Sequence, residues 1–267
     1  MPWRPRTLAQ LLADVADRHP DRRYVVSEHR TWTYAQVAEW ARWLAAGLRR
    51  LGAAPGDRVA TMLPNGPERV ALEFAISAAG ATAVQLSPLL TPAEVSELAA
   101  RTRSVLVVDA VRMAELEAAS RGARGQVDPG AAPDRLVIFP AAHESGQAAL
   151  VQLTDDQLLR SAFGSAYTRA FEDKRVILFA LPLSHVFGYV EGMLAALFCA
   201  GAIIPQPGFR SETALAAIER HRATDALFVP AMTLALVGRG TRGHDLSSLA
   251  AVMSAGTRAP VWTWPAL

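Results

Sequence analysis

The chain has 267 residues, 51% hydrophobic and 19% charged, which excludes general disorder and suffices for one large or two small domains. Its 27 basic and 25 acidic residues nearly balance at a formal charge of +2, and no Lys/Arg run builds a nucleic-acid surface. The one cysteine, Cys199, permits no internal disulfide and points to a reducing compartment.

Thr7 can cap a helix that carries Leu8, Leu11, Leu12 and Val15 on one face. Residues 24–26 and 31–33 flank a polar turn and read as a hairpin. Thr33 with Gln36 forms a second capping box and opens a long helix, with Val37, Trp40, Leu44, Leu48 and Leu51 inward and Gly52 at its end. Strand 59–63, helix 68–79 and strand 81–86 follow. Thr91-Pro92-Ala93-Glu94 starts another helix, with proline at the first helical position. Residues 104–108 read as a buried strand, and 121–134, rich in Gly, Ala, Pro and Arg, as a linker. Later come helix 154–170, strand 176–181, helix 189–199, strand 202–204, a helix capped by Ser211 and ending at His221, strand 226–229, helix 230–237 and strand 249–253. Strands alternating with helices predict an α/β fold of largely parallel sheets flanked by helices. No apolar segment follows residues 1–6 as in a secretion signal, and the longest apolar run, 193–204, is too short to span a bilayer. A soluble cytoplasmic protein without a membrane span is expected.

Residues 136–158 carry the chemistry to be explained. Leu136-Val137-Ile138-Phe139 is strand-like, Pro140 to Gln147 is loop-like, and 148–153 is apolar again. Thr154-Asp155-Asp156-Gln157 then reads as a capped helix start, with two carboxylates at the positive end of the dipole.

This stretch resembles the AMP-forming acyl/aryl ligases, the superfamily of acyl-CoA synthetases and adenylation domains. Their phosphate loop reads Thr-Ser-Gly-Thr-Thr-Gly-x-Pro-Lys-Gly, then an apolar pair, then Leu-Thr-His-x-Asn-Leu. Val151-Gln152-Leu153-Thr154-Asp155-Asp156-Gln157-Leu158 fits the second half without a gap. The loop then falls on Ala-Ala-His-Glu-Ser-Gly-Gln-Ala-Ala-Leu, residues 141–150. Only Gly146, and Ser145 in place of a threonine, remain. Ala149 stands at the lysine position, Leu150 at a glycine position, and Glu144 adds a negative charge. Such a loop works by aiming N–H groups, hydroxyls and one cation at phosphate oxygens. Loss of one preorganised donor typically costs about 10²–10³ in rate. The resemblance extends to Gly56-Asp57-Arg58-Val59, Leu63-Pro64-Asn65, Ala79-Gly80-Ala81 and Pro88-Leu89-Leu90-Thr91, residues of turns, caps and buried strands.

Leu181-Pro182-Leu183-Ser184-His185-Val186-Phe187-Gly188 resembles the family's Pro-Leu-Phe-His-x-x-Gly motif, with Ser184 replacing the aromatic residue. The resemblance implies that His185, Phe187 and Gly188 line a carboxylic-acid pocket at a strand's carboxyl end. A packed loop histidine with no ligand is the other reading. Ser254-Ala255-Gly256-Thr257 resembles a family turn that passes beside the acyl group, which would add Gly256; a plain turn is equally compatible. Gly238 to Gly243 spells Gly-x-Gly-x-x-Gly, but a helix precedes it, and a surface loop is expected. Neither metal-ligand spacing nor a catalytic residue is assigned.

The resemblance implies an incomplete AMP-binding domain over 1–267, of two sheet subdomains with the second unfinished, matching only the first half of a family member. The family's Tyr-Gly-x-Thr-Glu motif, ribose-binding aspartate, hinge and C-terminal domain are not in this sequence. The expected function is a truncated acyl-CoA synthetase-like protein lacking ligase activity and needing no cofactor, although the family uses ATP, Mg²⁺ and coenzyme A. Alternatives are an acyl-binding or regulatory pseudoenzyme pairing with another subunit at an open sheet edge, and one half of a split ligase. A carboxylic or fatty acid is the expected small-molecule partner, with no nucleic acid.

Overall fold

The computed structural model describes residues 3–122, 135–141 and 148–256. Capping boxes start four of its helices: α1 (Leu8–Arg18) at Thr7, α2 (Tyr34–Arg50) at Thr33, α4 (Pro92–Thr102) at Thr91 and α6 (Asp155–Thr168) at Thr154. In each, the threonine accepts from a backbone N–H three residues on, and the Gln or Glu there reaches back. Between α2 and α4 the chain forms α3 (Pro67–Ala78), with proline in its first turn. Helix α5 (Ala110–Ser120) was not legible in the sequence; Asp109 caps it through a single bond to the Arg112 N–H, without the reciprocal partner.

Two sheets carry these helices. The first has the order β11-β10-β8-β9-β1-β2 and joins β1 (Arg23–Val26) and β2 (Thr31–Thr33) to β8 (Val176–Phe179), β9 (Ala202–Pro205), β10 (Asp225–Phe228) and β11 (Ala251–Ser254). All its pairings are parallel except the β1–β2 hairpin. The second sheet has the order β5-β3-β4-β6-β7, from β3 (Arg58–Thr61), β4 (Thr82–Gln85), β5 (Ser104–Val108), β6 (Leu136–Ala141) and β7 (Ala149–Thr154). Only β6–β7 is antiparallel there. The predicted α/β class with mostly parallel sheets is therefore the observed one.

Strands β4 and β8 are central and buried along their whole length, as continuous apolar runs in a parallel sheet should be. The expectation of a buried strand at 104–108 fails: β5 is an edge strand, and Val105 is 48% exposed. A second correction concerns the predicted helix 189–199. Residues Phe187–Leu194 form a π-helix, in which the Ala195 N–H reaches the Val190 carbonyl, and Ala195–Cys199 tighten to a 3₁₀ turn. Third, Arg210, not Ser211, is the N-cap of α7 (Ser211–His221), and no side chain bonds that end. The last helix, α8 (Pro230–Arg239), runs into the Gly-rich loop at 240–243, so that motif follows a helix and is no dinucleotide turn.

One large apolar cluster joins α1, α2 and α3 to strands of both sheets and to the π-helix. Two polar clusters sit inside it. Arg135 and Asp155 form a buried bidentate pair: Nη2 to Oδ1 at 2.7 Å and Nε to Oδ2 at 3.1 Å. Asp155 Oδ2 also accepts from the Leu8 N–H at 2.9 Å, while Arg135 Nη1 donates to the Ala81 carbonyl at 2.7 Å. One carboxylate thus ties the starts of α1 and α6 to the second sheet.

Candidate functional site

Strands β11, β10, β8, β9 and β1 run parallel, so their carboxyl ends open on one edge of the first sheet. Such edges are where open α/β sheets place ligands. Residues 181–188 leave β8 there, and Asn65 fixes them. Its Nδ2 donates to the carbonyls of Leu181 (2.8 Å) and Gln206 (3.1 Å), and its Oδ1 accepts from the Leu183 N–H at 2.8 Å. Asn65 follows β3 of the other sheet, so this one amide joins the two sheets at the loop. The sequence showed Asn65-Gly66-Pro67 as a turn into the next helix; the long-range bonds of Asn65 were not readable from it.

Gly188 is held close to the same loop. A Cβ there would lie 2.6 Å from the Leu181 carbonyl oxygen and 2.8 Å from that of Pro182. Both neighbours are backbone, so any side chain would push the loop off the π-helix. His185 is exposed, and its Nδ1 accepts from the Phe187 N–H at 3.1 Å. In the neutral ring, that bond leaves Nε2 as the protonated nitrogen. Phe187 is half-buried and packs on the main apolar cluster. No hydrogen bond joins the Ser184 hydroxyl to His185 among the described residues, so they form no nucleophile–base pair.

Gly256 adopts φ +124°, a conformation L side chains rarely take, and a Cβ there would lie 3.8 Å from Pro230 Cδ. It thus packs at the carboxyl end of β10. Strand β10 separates β8 from β11, placing their ends two strand spacings apart, roughly 10 Å. The structure brings His185, Phe187 and Gly188 together on one loop and sets Gly256 across β10 from them, with no direct bond between the two groups.

Behind this loop lies a polar cluster that the sequence did not disclose. Arg69 and Glu73 of α3 are fully buried, with Nε and Oε1 3.0 Å apart. Arg69 Nη2 donates to Gln85 Oε1, and Gln85 Nε2 donates to Glu73 Oε2 at 2.7 Å. Thr61 donates to Glu73 Oε1 at 3.1 Å. The hydroxyl of Tyr189, the residue after Gly188, donates to Glu73 Oε2 at 3.2 Å. Burial pushes the Tyr189 hydroxyl well above its ordinary value, and Glu73 adds to that; burial lowers Arg69 despite Glu73. The first turn of the π-helix is therefore anchored to strands β3 and β4 through one carboxylate.

Ser145 and Gly146, the surviving positions of the phosphate-loop resemblance, lie outside the described residues, as do 142–144 and Gln147. The end of that stretch is described. Ala149 and Leu150 begin β7, in register with Ala141 and Pro140 of β6. Leu150 packs with Val84, Leu98 and Ile138. Ala149, which the sequence resemblance aligns with the phosphate-loop lysine, is a strand residue. Arg101 of α4 reaches the Ala148 carbonyl at 2.7 Å and also pairs with Glu97. Neither Ala149 nor Leu150 offers a side-chain donor to a phosphate. Among the described residues no three His, Cys, Asp or Glu side chains converge as metal ligands. No helix among the described residues is long and apolar enough to cross a membrane. The Cys199 thiol is buried and pushed up to about 11 by that burial, so it is no nucleophile near neutral pH.

A model of the AMP-binding enzyme family matches residues 12–139 and 145–267. The chain belongs to this family. The match is interrupted at 140–144. 4-Coumarate-CoA ligase 1 of Narcissus pseudonarcissus is 29% identical over 263 residues, covering 85% of this chain and 47% of that protein. Pyochelin synthase PchD of Pseudomonas aeruginosa is 27% identical over 289 residues, covering 96% of this chain and 53% of that one. The apo structure of Mycobacterium smegmatis MbtA superposes with a TM-score of 0.87 at 26% identity, covering 98% of this chain and 54% of its own. Bacillus subtilis O-succinylbenzoate coenzyme A synthetase in complex with AMP gives 0.86 at 22% identity, covering 96% of this chain and 55% of its own, a likeness of fold alone. The chain spans about half the length of the curated relatives it matches.

Proposed function

We propose that this chain is the carboxylic-acid-binding portion of an adenylate-forming acyl or aryl ligase and does not itself activate acids with ATP. The observation that carries the reading is Ala149, an apolar strand residue in register with Ala141 where the family's phosphate lysine would stand. The break in the family match at 140–144 supports it. The acid is placed against the loop of His185, Phe187 and Gly188, with Gly256 on the far side of β10. Two relatives, a 4-coumarate-CoA ligase and a salicyl-AMP ligase, support an aryl or acyl acid. The chain's setting is read as cytoplasmic. No step through ATP, Mg²⁺ or coenzyme A is assigned to it.

A second reading, an acyl-binding subunit that pairs with another chain, is favoured by β11. Among the described residues it borders the sheet and pairs only with β10, and its residues are half-buried or exposed.

The test pairs two measurements on the same protein over a panel of aryl and fatty acids. Melting temperature should rise with the acids that fit and fall back to baseline in Gly188→Val. ATP–pyrophosphate exchange should stay at background with every acid. Exchange well above background would contradict the loss of activation; melting indifferent to every acid would contradict the binding role.

A further inference from the structure

A separate cavity of about 580 Å³ opens beside the loop just described, at the carboxyl ends of β9 and β1. Its size suits a small ligand. One stripe of α7 forms its wall: Arg210, Thr213, Ala217 and Arg220, at helical three- and four-residue spacing, with Ala216 and His221 alongside. Small residues in the middle of that stripe leave the space, and cations stand at both ends. Val26, Ile204 and Phe209 supply an apolar floor. The turn after β1 contributes Glu28 and His29, and the start of α3 contributes Glu68.

The charged groups here are unspent. Among the described residues, neither the Arg210 nor the Arg220 guanidinium makes an ion pair or side-chain hydrogen bond, whereas most arginines elsewhere do. Gln206 lines the same cavity, with its Nε2 committed to the Thr213 carbonyl at 3.2 Å; its Oε1, an acceptor, offers an anion nothing. Glu28 and Glu68 make the cavity mixed, so its local sign matters. His221 reports that sign at the α7 end. Burial lowers its pKa, and Arg220 and Arg23 lower it further, with no carboxylate acting the other way. Arg220 and Arg23 are thus the charges that act on His221.

We propose that this cavity binds an amphipathic organic anion, a carboxylate or phosphomonoester on an apolar body, with the anion between Arg220 and His221 and the body over Ala216, Ala217 and Phe209. The assignment is independent of the acid placed at residues 181–188.

Histidine ring NMR tests it. Each ring proton is titrated against pH at fixed ionic strength, with His221→Gln assigning the resonance. Phenyl phosphate and benzoate should each raise the His221 midpoint by about one unit, because a bound anion favours the imidazolium. Comparing the two shows which head group the site prefers. Benzyl alcohol, which lacks the charge, and inorganic phosphate, which lacks the body, should leave it in place. Arg220→Gln should raise the midpoint without ligand and abolish the further response. A His221 midpoint unmoved by both organic anions would overturn the proposal. So would an equal response to inorganic phosphate, which means surface charge only. Movement of His185 with His221 fixed would place the acid at the other loop and also overturn it.

Discussion

Asp155→Ala is expected to destabilise the fold by about 3–5 kcal/mol, the usual cost of leaving one member of a buried ion pair uncompensated. Burial pushes the Asp155 carboxyl up, and Arg135, the Leu8 N–H and Ser77 hold it down against that. The pair's net worth is therefore small while both members are present. Removing the carboxylate strands the Arg135 guanidinium, which is 4% exposed, and leaves the Leu8 N–H without its acceptor. Replacing both residues with apolar ones of similar size should recover most of the loss. Urea unfolding of the single and double variants checks this. A single variant within 1 kcal/mol of the parent would show that water already satisfies Arg135.

Glu73→Ala should cost about as much, on the order of 3–5 kcal/mol. Glu73 alone accepts from Thr61, Gln85 and Tyr189 while facing Arg69, whose Nη1 is already buried without a partner. Tyr189→Phe removes only one of those bonds and should cost about 1 kcal/mol. The two differ in a second respect. Because Tyr189 follows Gly188 directly, both variants should speed amide exchange across the 181–189 segment, while exchange in α1 stays unchanged in Tyr189→Phe. Unaltered exchange at 181–189 in both would show that Asn65 alone fixes the loop.

What the sequence disclosed was local. Thr7, Thr33, Thr91 and Thr154 announced their helices because a capping box closes within four residues. Gly52 and Pro92 marked an end and a start for the same reason. Arg69 and Glu73 were hidden because their i,i+4 spacing reads as a solvent-facing pair on any helix. Only the packing of α3 between the two sheets puts them inside. Asp109 gave a cap without its reciprocal partner, so α5 was not seen. Strand β5 looked buried because Val105, Leu106, Val107 and Val108 form an apolar run, and its place at the sheet edge is a matter of strand order alone. The π-helical winding after Gly188 follows from close packing on the β8 loop, which no periodicity encodes.

The site divides the same way. Its motif was legible at His185, Phe187 and Gly188, and the structure supplies the reason for Gly188 in the two backbone oxygens beside it. The cavity lined by α7 was not legible, since Arg210, Thr213, Ala217 and Arg220 read as an ordinary exposed stripe until β1 and β9 are placed opposite.

We propose that the family fold is kept here without the triphosphate grip. Titration of the chain with ATP, with and without Mg²⁺, followed by calorimetry, tests it most directly. We predict heats indistinguishable from dilution in both arms. Saturable binding that requires Mg²⁺ would show that other donors replace the lysine missing at Ala149, and the account would fail.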